Sequence, residues 1–189
     1  MLINSNFSHV VKSDKFDRMH AVRTAELTYQ IALKSNFCKH TASNYKDAAF
    51  WHDCGKLFLP ENLLNKPGSL TDDEFEKIRS HTSLGSDYIE KSRMPNTKLR
   101  ADAALFHHER LNGSGYLGLR GKAICKVARI VAVADAFDAM THDRPYHQAM
   151  KKEEAVKELV GLSGFFYEER FVHGLIKYLS ESSFGSQRS

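Results

Sequence analysis

Along most of the chain apolar residues recur every three to four positions, the spacing that lines one face of an α-helix, while alternating Val/Ile/Thr runs are few. The pattern predicts a helix over 16–34, with Met19, Val22, Leu27, Ile31 and Leu33 among its apolar positions and His20 on it. A second is expected from Ser43, read as its N-cap, through Tyr45, Ala49 and Phe50 to the glycine of WHDCGK, so that His52 and Asp53 fall in its last turn. After the connector KLFLPENLLNKPGSL, Thr71 followed three residues later by Glu74 has the form of a capping box; it opens a helix predicted to run to about Ser92, with His81 in its middle. Pro95 and Asn96 mark the next start, and that helix passes Leu99, Ala103 and Phe106 to reach His107 and His108 before the turn LNGSGYLG. The stretch 124–141 is almost wholly apolar on all faces, interrupted by Asp135 and Asp138, which predicts a helix buried in the middle of the domain. Helices over 152–162 and 168–179 and a polar, disordered tail, SESSFGSQRS, complete an all-α chain.

Length and charge narrow this picture. With 189 residues, 42% of them hydrophobic, the chain is read as one domain over 16–183, with an N-terminal extension 1–15 and a disordered tail 184–189. The net charge of +4 comes from scattered residues, which favours small anionic partners and gives no case for polymeric nucleic acid. The three cysteines (Cys38, Cys54, Cys125) form neither a C-x-x-C pair nor an even set, so a reducing, cytoplasmic setting fits; no apolar run approaches the ~18 residues of a membrane span.

The residues that can carry chemistry are histidines and aspartates. A His52-Asp53 pair at a helix end suits iron, manganese, zinc or nickel, and a carboxylate has two oxygens with which to bridge two ions; read alone, it is equally a surface pair. Asp135, inside AVADAFDAM, must be paired or metal-bound if buried, with Arg129 or Arg144 as ordinary partners; Asp138 is read as its structural companion. His107-His108 before Glu109-Arg110 reads, taken alone, as a solvated helix end, and His20 and His81 are single histidines on amphipathic helices.

Taken in order, His20 with Arg23, His52-Asp53-Cys54-Gly55-Lys56, His81, His107-His108-Glu109-Arg110 and Val133-Ala134-Asp135 resemble the HD-GYP family, a branch of the HD-domain metal-dependent phosphohydrolases. The connecting segments NKPGSLTDDEFEKIRSHTSLG, HHERLNGSGYLG and IVAVADAFDAMTHDRPYHQAM are close to the family's pattern too. The resemblance implies a helical bundle around two or three divalent transition-metal ions that hydrolyses cyclic di-GMP, to linear pGpG or GMP. It implies His20, His52, Asp53 and Asp135 around one ion and His81, His107 and His108 on a second, with Asp53 bridging. Lys56, and Arg144 with His147, are implied as phosphate contacts. Two ions about 3.5–4 Å apart would activate water and neutralise a phosphodiester, as that chemistry requires.

Departures shape the expectation. The GYP triplet is Gly115-Tyr116-Leu117, and Asn112 stands where the family carries an acidic residue; loss of the proline is expected to loosen a loop that holds no metal ligand, leaving Asn112–Leu117 open to protein partners. Phe16 stands where trinuclear members carry a glutamate, so two metals are expected, with Asp17 a weaker substitute. The alternatives to a cyclic di-GMP phosphodiesterase are a non-catalytic nucleotide-sensing or protein-interaction module derived from it, or a hydrolase of another cyclic nucleotide.

Overall fold

The apolar periodicity resolves, in a computed structural model describing residues 17–143 and 148–185, into nine α-helices and no strand among the described residues. In chain order these are α1 (Arg18–Lys34), α2 (Lys39–Phe50), α3 (Glu61–Leu64), α4 (Asp72–Arg79), α5 (His81–Ser92), α6 (Thr97–Phe106), α7 (Lys126–Thr141), α8 (Lys152–Gly161) and α9 (Glu169–Gly185). The all-α fold class holds.

α7 is the axis, as its apolar sequence requires. Ile130, Val133 and Phe137 on it pack with Ile31 of α1, Leu159 of α8 and Phe171 and Leu175 of α9. On another face Val127 and Val131 meet Ala25, Ala48, Ala49 and Ala103, small residues that let α1, α2 and α6 approach closely. A separate cluster of Ala21, Trp51, Cys54, Ile89, Ala101 and Ala104 joins α1 and the His52 turn to α5 and α6.

Four boundaries differ from the sequence expectation. α2 begins at Lys39, with extended Cys38 rather than Ser43 in the cap position; Asn36, at φ 61°, turns the chain sharply after α1, and the earlier start buries Ala42 completely while Ser43 stays exposed inside the helix. α2 stops at Phe50, so His52 and Asp53 lie in the turn beyond it, before a 3-10 turn over Cys54–Phe58. The capping box at Thr71 is present, but the helix it opens breaks at Ser80, and His81 starts a new helix instead of lying mid-helix. Side chains cause that break: Ser80 Oγ donates to Lys77 O (2.6 Å), Thr82 Oγ1 to Arg79 O (3.0 Å) and His81 Nδ1 to Ile78 O (2.6 Å), drawing off carbonyls of the last turn of α4. Finally, the tail is helical through Gly185, because Ile176 and Leu179 pack on the core and Glu181 pairs with Lys34.

Candidate metal centre

The ends of α1, α5 and α6 and the interior of α7 meet around the turn that carries His52 and Asp53. Two sets of donor atoms gather there, each within 4.8 Å of one another: His20, His52 and Asp135 in one, and Asp53, His81, His107 and His108 in the other. Asp53 lies between them. Its Oδ1 is 3.3 Å from His81 Nε2 and 3.8 Å from His107 Nε2, whereas its Oδ2 is 3.4 Å from His52 Nε2 and 3.7 Å from His20 Nε2. Asp135 Oδ1 closes the first set at 3.2 Å from His20 Nε2 and 3.8 Å from His52 Nε2; Arg129, an alternative partner, pairs with Glu168 instead.

Hydrogen bonds on the far side of each ring decide what these atoms can do. His52 Nδ1 lies 2.7 Å from Ala49 O, His81 Nδ1 2.6 Å from Ile78 O, and His107 Nδ1 2.9 Å from Ala104 O. A carbonyl oxygen only accepts, so Nδ1 carries a proton in each ring and Nε2 faces inward, where the neutral ring offers a lone pair to an ion. His81 Nε2 and His107 Nε2 lie 3.4 Å apart, and Asp53 Oδ1 beside them is buried without a hydrogen-bond partner among the described residues, so with neutral rings three acceptor atoms crowd together. Acceptors that face one another without a proton between them are unstable unless a cation sits among them. This donor set, imidazole with carboxylate, fits a divalent transition metal.

The charge states follow from the surroundings. Burial, then the neighbouring histidines, hold His107 well below its ordinary pKa, and burial takes His108 down to about 3, so both are neutral. Burial acts in the same direction on His20, but hydrogen bonds to Asp135 and Asp138 outweigh it and raise that group to about 9. Asp53 and Asp135 stay ionised: burial works against charge, yet Lys56 and His52 hold the first well below the carboxylate range, and His20 and His52 hold the second there. The Cys54 thiol, buried and next to Asp53, is pushed up to about 12 and is inert.

Local sequence explains how the pieces come so close. A Cβ on Gly55 would stand 1.8 Å from His81 O, so glycine is what lets the 3-10 turn touch the first turn of α5 and bring Asp53 to His81. Arg110 Nη1 donates to His107 O (3.1 Å) and holds the end of α6. Glu109 is 3% exposed, not part of a solvated helix end; its carboxylate accepts from Leu117 N and Leu119 N, each at 2.7 Å, and so fastens the Gly115-Tyr116-Leu117 turn. Leu117 therefore tightens the turn through an N–H that proline would lack, contrary to the expected loosening. Asn112 Oδ1 accepts from Ser114 N (3.0 Å), and Tyr116 lays its ring 4.5 Å from that of His108, with the Arg79 guanidinium 4.8 Å from the centre of the Tyr116 ring. The turn contributes no member of the donor sets. Glu109 and Gly55 stand inside the motif elements read from sequence without a role of their own; burial and close approach supply it.

Lys56 sits on the 3-10 turn with Nζ 2.5 Å from Asp53 Oδ2 and its side chain 30% exposed, at the rim of the centre. Asp17 caps α1, its Oδ1 accepting from His20 N at 2.9 Å, and so is used as a cap. Arg144, His147 and Phe16 lie outside the described residues; beside the first two, Asp143 Oδ1 accepts from Ala149 N (2.9 Å) and Met150 N donates to Met140 O (2.7 Å), fastening the chain to the end of α7.

An HD-domain family model matches residues 1–168. The chain belongs to the HD-domain family. Among HD-domain relatives, a protein of Thermotoga maritima named cyclic di-GMP phosphodiesterase is 40% identical over 163 residues, covering 86% of this chain and 44% of the relative. The 3'3'-cGAMP-specific phosphodiesterase 2 of Vibrio cholerae is 31% identical over 163 residues, covering 86% of this chain and 31% of the relative. The chain thus spans less than half the length of these relatives. In fold it is similar to Bd1817, a HDG"Y"P protein from Bdellovibrio bacteriovorus, with a TM-score of 0.70, 23% identity, and coverage of 89% of this chain and 54% of the other. No described helix is long and apolar enough to cross a membrane.

Proposed function

We propose that this chain is a metal-dependent phosphodiesterase of cyclic dinucleotides, cyclic di-GMP foremost, cutting one bond to give linear pGpG or both to give GMP. The observation that carries the proposal is the Asp53 carboxylate, buried between two sets of inward-facing histidine nitrogens with one oxygen toward each. Two divalent ions, iron or manganese by preference and nickel or zinc as alternatives, would be held by His20, His52 and Asp135 on one side and by His81, His107 and His108 on the other, with Asp53 shared. Bound there, they would supply a water of lowered pKa and neutralise charge on the phosphoryl oxygens.

The chain's own residues prepare that chemistry. Main-chain carbonyls hold the Nδ1 protons of His52, His81 and His107, so the Nε2 lone pairs converge without rearrangement. Lys56, at the rim, offers a cation to a phosphate oxygen, and Arg144 and His147 are proposed to add phosphate contacts. Two carboxylates facing two dications leave the site positive, which draws in a dianionic substrate. We assign the protein to the cytoplasm and the domain to 16–183, flanked by 1–15 and 184–189, with Asn112–Leu117 as the surface for protein partners.

A second substrate is favoured by one observation, the relative named for 3'3'-cGAMP, although its identity of 31% is below the 40% of the relative named for cyclic di-GMP. Anaerobically purified protein, analysed for metal and incubated separately with the two dinucleotides, tests both readings by chromatography. Faster turnover of cyclic di-GMP is expected; preference for cGAMP would reassign the substrate, and bound dinucleotide without turnover would make the chain a sensor.

A further inference from the structure

His20 differs from the other histidines of the centre in how its far nitrogen is held. His52, His81 and His107 each reach a main-chain carbonyl three residues earlier, which local folding provides without any distant partner. His20 is the third residue of α1, and three residues before it the Asp17 carbonyl accepts from Ala21 N (2.9 Å) while the Asp17 side chain caps the helix. Its Nδ1 donates instead to Asp138 Oδ2 at 2.7 Å, across 118 positions of sequence. Asp138 is 1% exposed and lies three residues after Asp135 on α7, so one helix presents a carboxylate to each nitrogen of the same ring.

Arg23 completes the device. One turn beyond His20 on α1, it donates Nε to Asp138 Oδ1 (2.6 Å) and Nη2 to Asp138 Oδ2 (3.0 Å), a two-point grip that fixes the carboxylate in plane. His142 Nδ1 stands 3.2 Å from Asp138 Oδ1. Held this way, Asp138 cannot rotate into the centre to ligate an ion itself; it serves to aim the ring. A carboxylate on the far nitrogen of a ligating histidine fixes its tautomer and makes the ligating nitrogen more electron-rich.

We propose that Asp138, braced by Arg23, is a positioning residue that sets the tautomer and direction of His20 and thereby the affinity of the His20–His52–Asp135 half of the centre, without touching the His81–His107–His108 half. The proposal rests on the two-ion reading above. It extends that reading to an asymmetry: His81 and His107 in one half and His52 in the other are oriented by local backbone, whereas His20 is oriented by a long-range ion pair between α1 and α7.

The test is titration of the chelator-stripped full chain with Mn2+ alone, followed by electron paramagnetic resonance, for wild type, Asp138→Ala, Asp138→Asn and Arg23→Gln. Asp138→Ala should weaken one of two binding events by about 10- to 100-fold and leave the other within about twofold, with Arg23→Gln smaller in the same direction. In 15N-histidine spectra of Zn2+-loaded wild type, His20 should carry its proton on Nδ1. Circular dichroism checks folding; if Asp138→Ala does not fold, the two milder variants carry the test. Wild type taking up no ion would defeat the two-ion reading itself. Wild type taking two ions with both affinities unchanged in the variants, or both weakened equally, would overturn this inference alone.

Discussion

The two halves of the centre hold particular histidines in opposite charge states, His107 and His108 on one side and His20 on the other. On the α5–α6 side, His107 and His108 are driven neutral by burial and then by neighbouring histidines, and their lone pairs are ready for a cation. On the α1–α7 side, His20 lies among Asp53, Asp135 and Asp138, and the carboxylates raise it to about 9, so at neutral pH a proton occupies the place an ion would take. The contrast shows that imidazole in a buried site has no fixed role: acidic neighbours load it with a proton, and histidine neighbours strip it. A metal entering the first half displaces nothing, whereas one entering the second must displace a proton from His20.

The largest perturbation of this comparison is to remove the group both halves share. Asp53→Ala should abolish hydrolysis and reduce bound metal more than any other single ligand change, while Cys54→Ala keeps both; near-normal turnover in Asp53→Ala, followed with elemental analysis, would break the assignment. Next, His107→Ala and Asp135→Ala should each lose one ion and retain the other. If either variant loses both, the halves are one cooperative site.

Lys56→Ala should leave the metal content unchanged and lower kcat/KM by about 10- to 150-fold, the equivalent of one charge-assisted hydrogen bond of about 1.5–3 kcal/mol. Loss of metal in that variant would mean that Lys56 serves the ligand Asp53 rather than the substrate. The proton difference sharpens the comparison further. Because the His20 pKa is raised in the folded, metal-free protein, its stabilising interaction is complete below about 6.5 and is lost as pH rises through about 9. Loading at pH 7–8 should therefore release about one proton from the α1–α7 half, and its affinity should rise about tenfold per pH unit up to 9. Calorimetry in buffers of different ionisation enthalpy measures this, and zero proton release would remove the distinction between the halves. The smallest effect is expected outside both. Leu117→Pro removes the N–H donated to Glu109 and should cost on the order of 1 kcal/mol in thermal unfolding with metal content intact.

The ligand set was legible only through the ordered resemblance to a known family, whereas the helices that carry it were legible because spacing and capping are local. The positions of His20, His107 and His108 near helix ends and the buried character of α7 follow from apolar periodicity, and the capping box at Thr71 follows from two side chains three residues apart. Boundaries were less legible where side chains compete with the helix ladder. Ser80, His81 and Thr82 break α4 from α5 by drawing off carbonyls, and the break leaves His81 Nε2 3.3 Å from Asp53 Oδ1. Gly55 illustrates the same limit, since its lack of a side chain matters only once α5 lies against it.

The amino-acid order alone thus determined an all-α domain and the inventory of possible ligands, because periodicity, capping and the donor chemistry of each residue act within a few positions. Which residues met was decided in three dimensions. Asp53 facing two sets of histidines, Glu109 fastening the Tyr116 turn and Asp138 holding His20 all join residues through packing of separate elements. The charge on each histidine depends on the same assembly, since the field at a buried ring comes from whatever the fold places beside it and the burial that lets this field act is itself a product of packing.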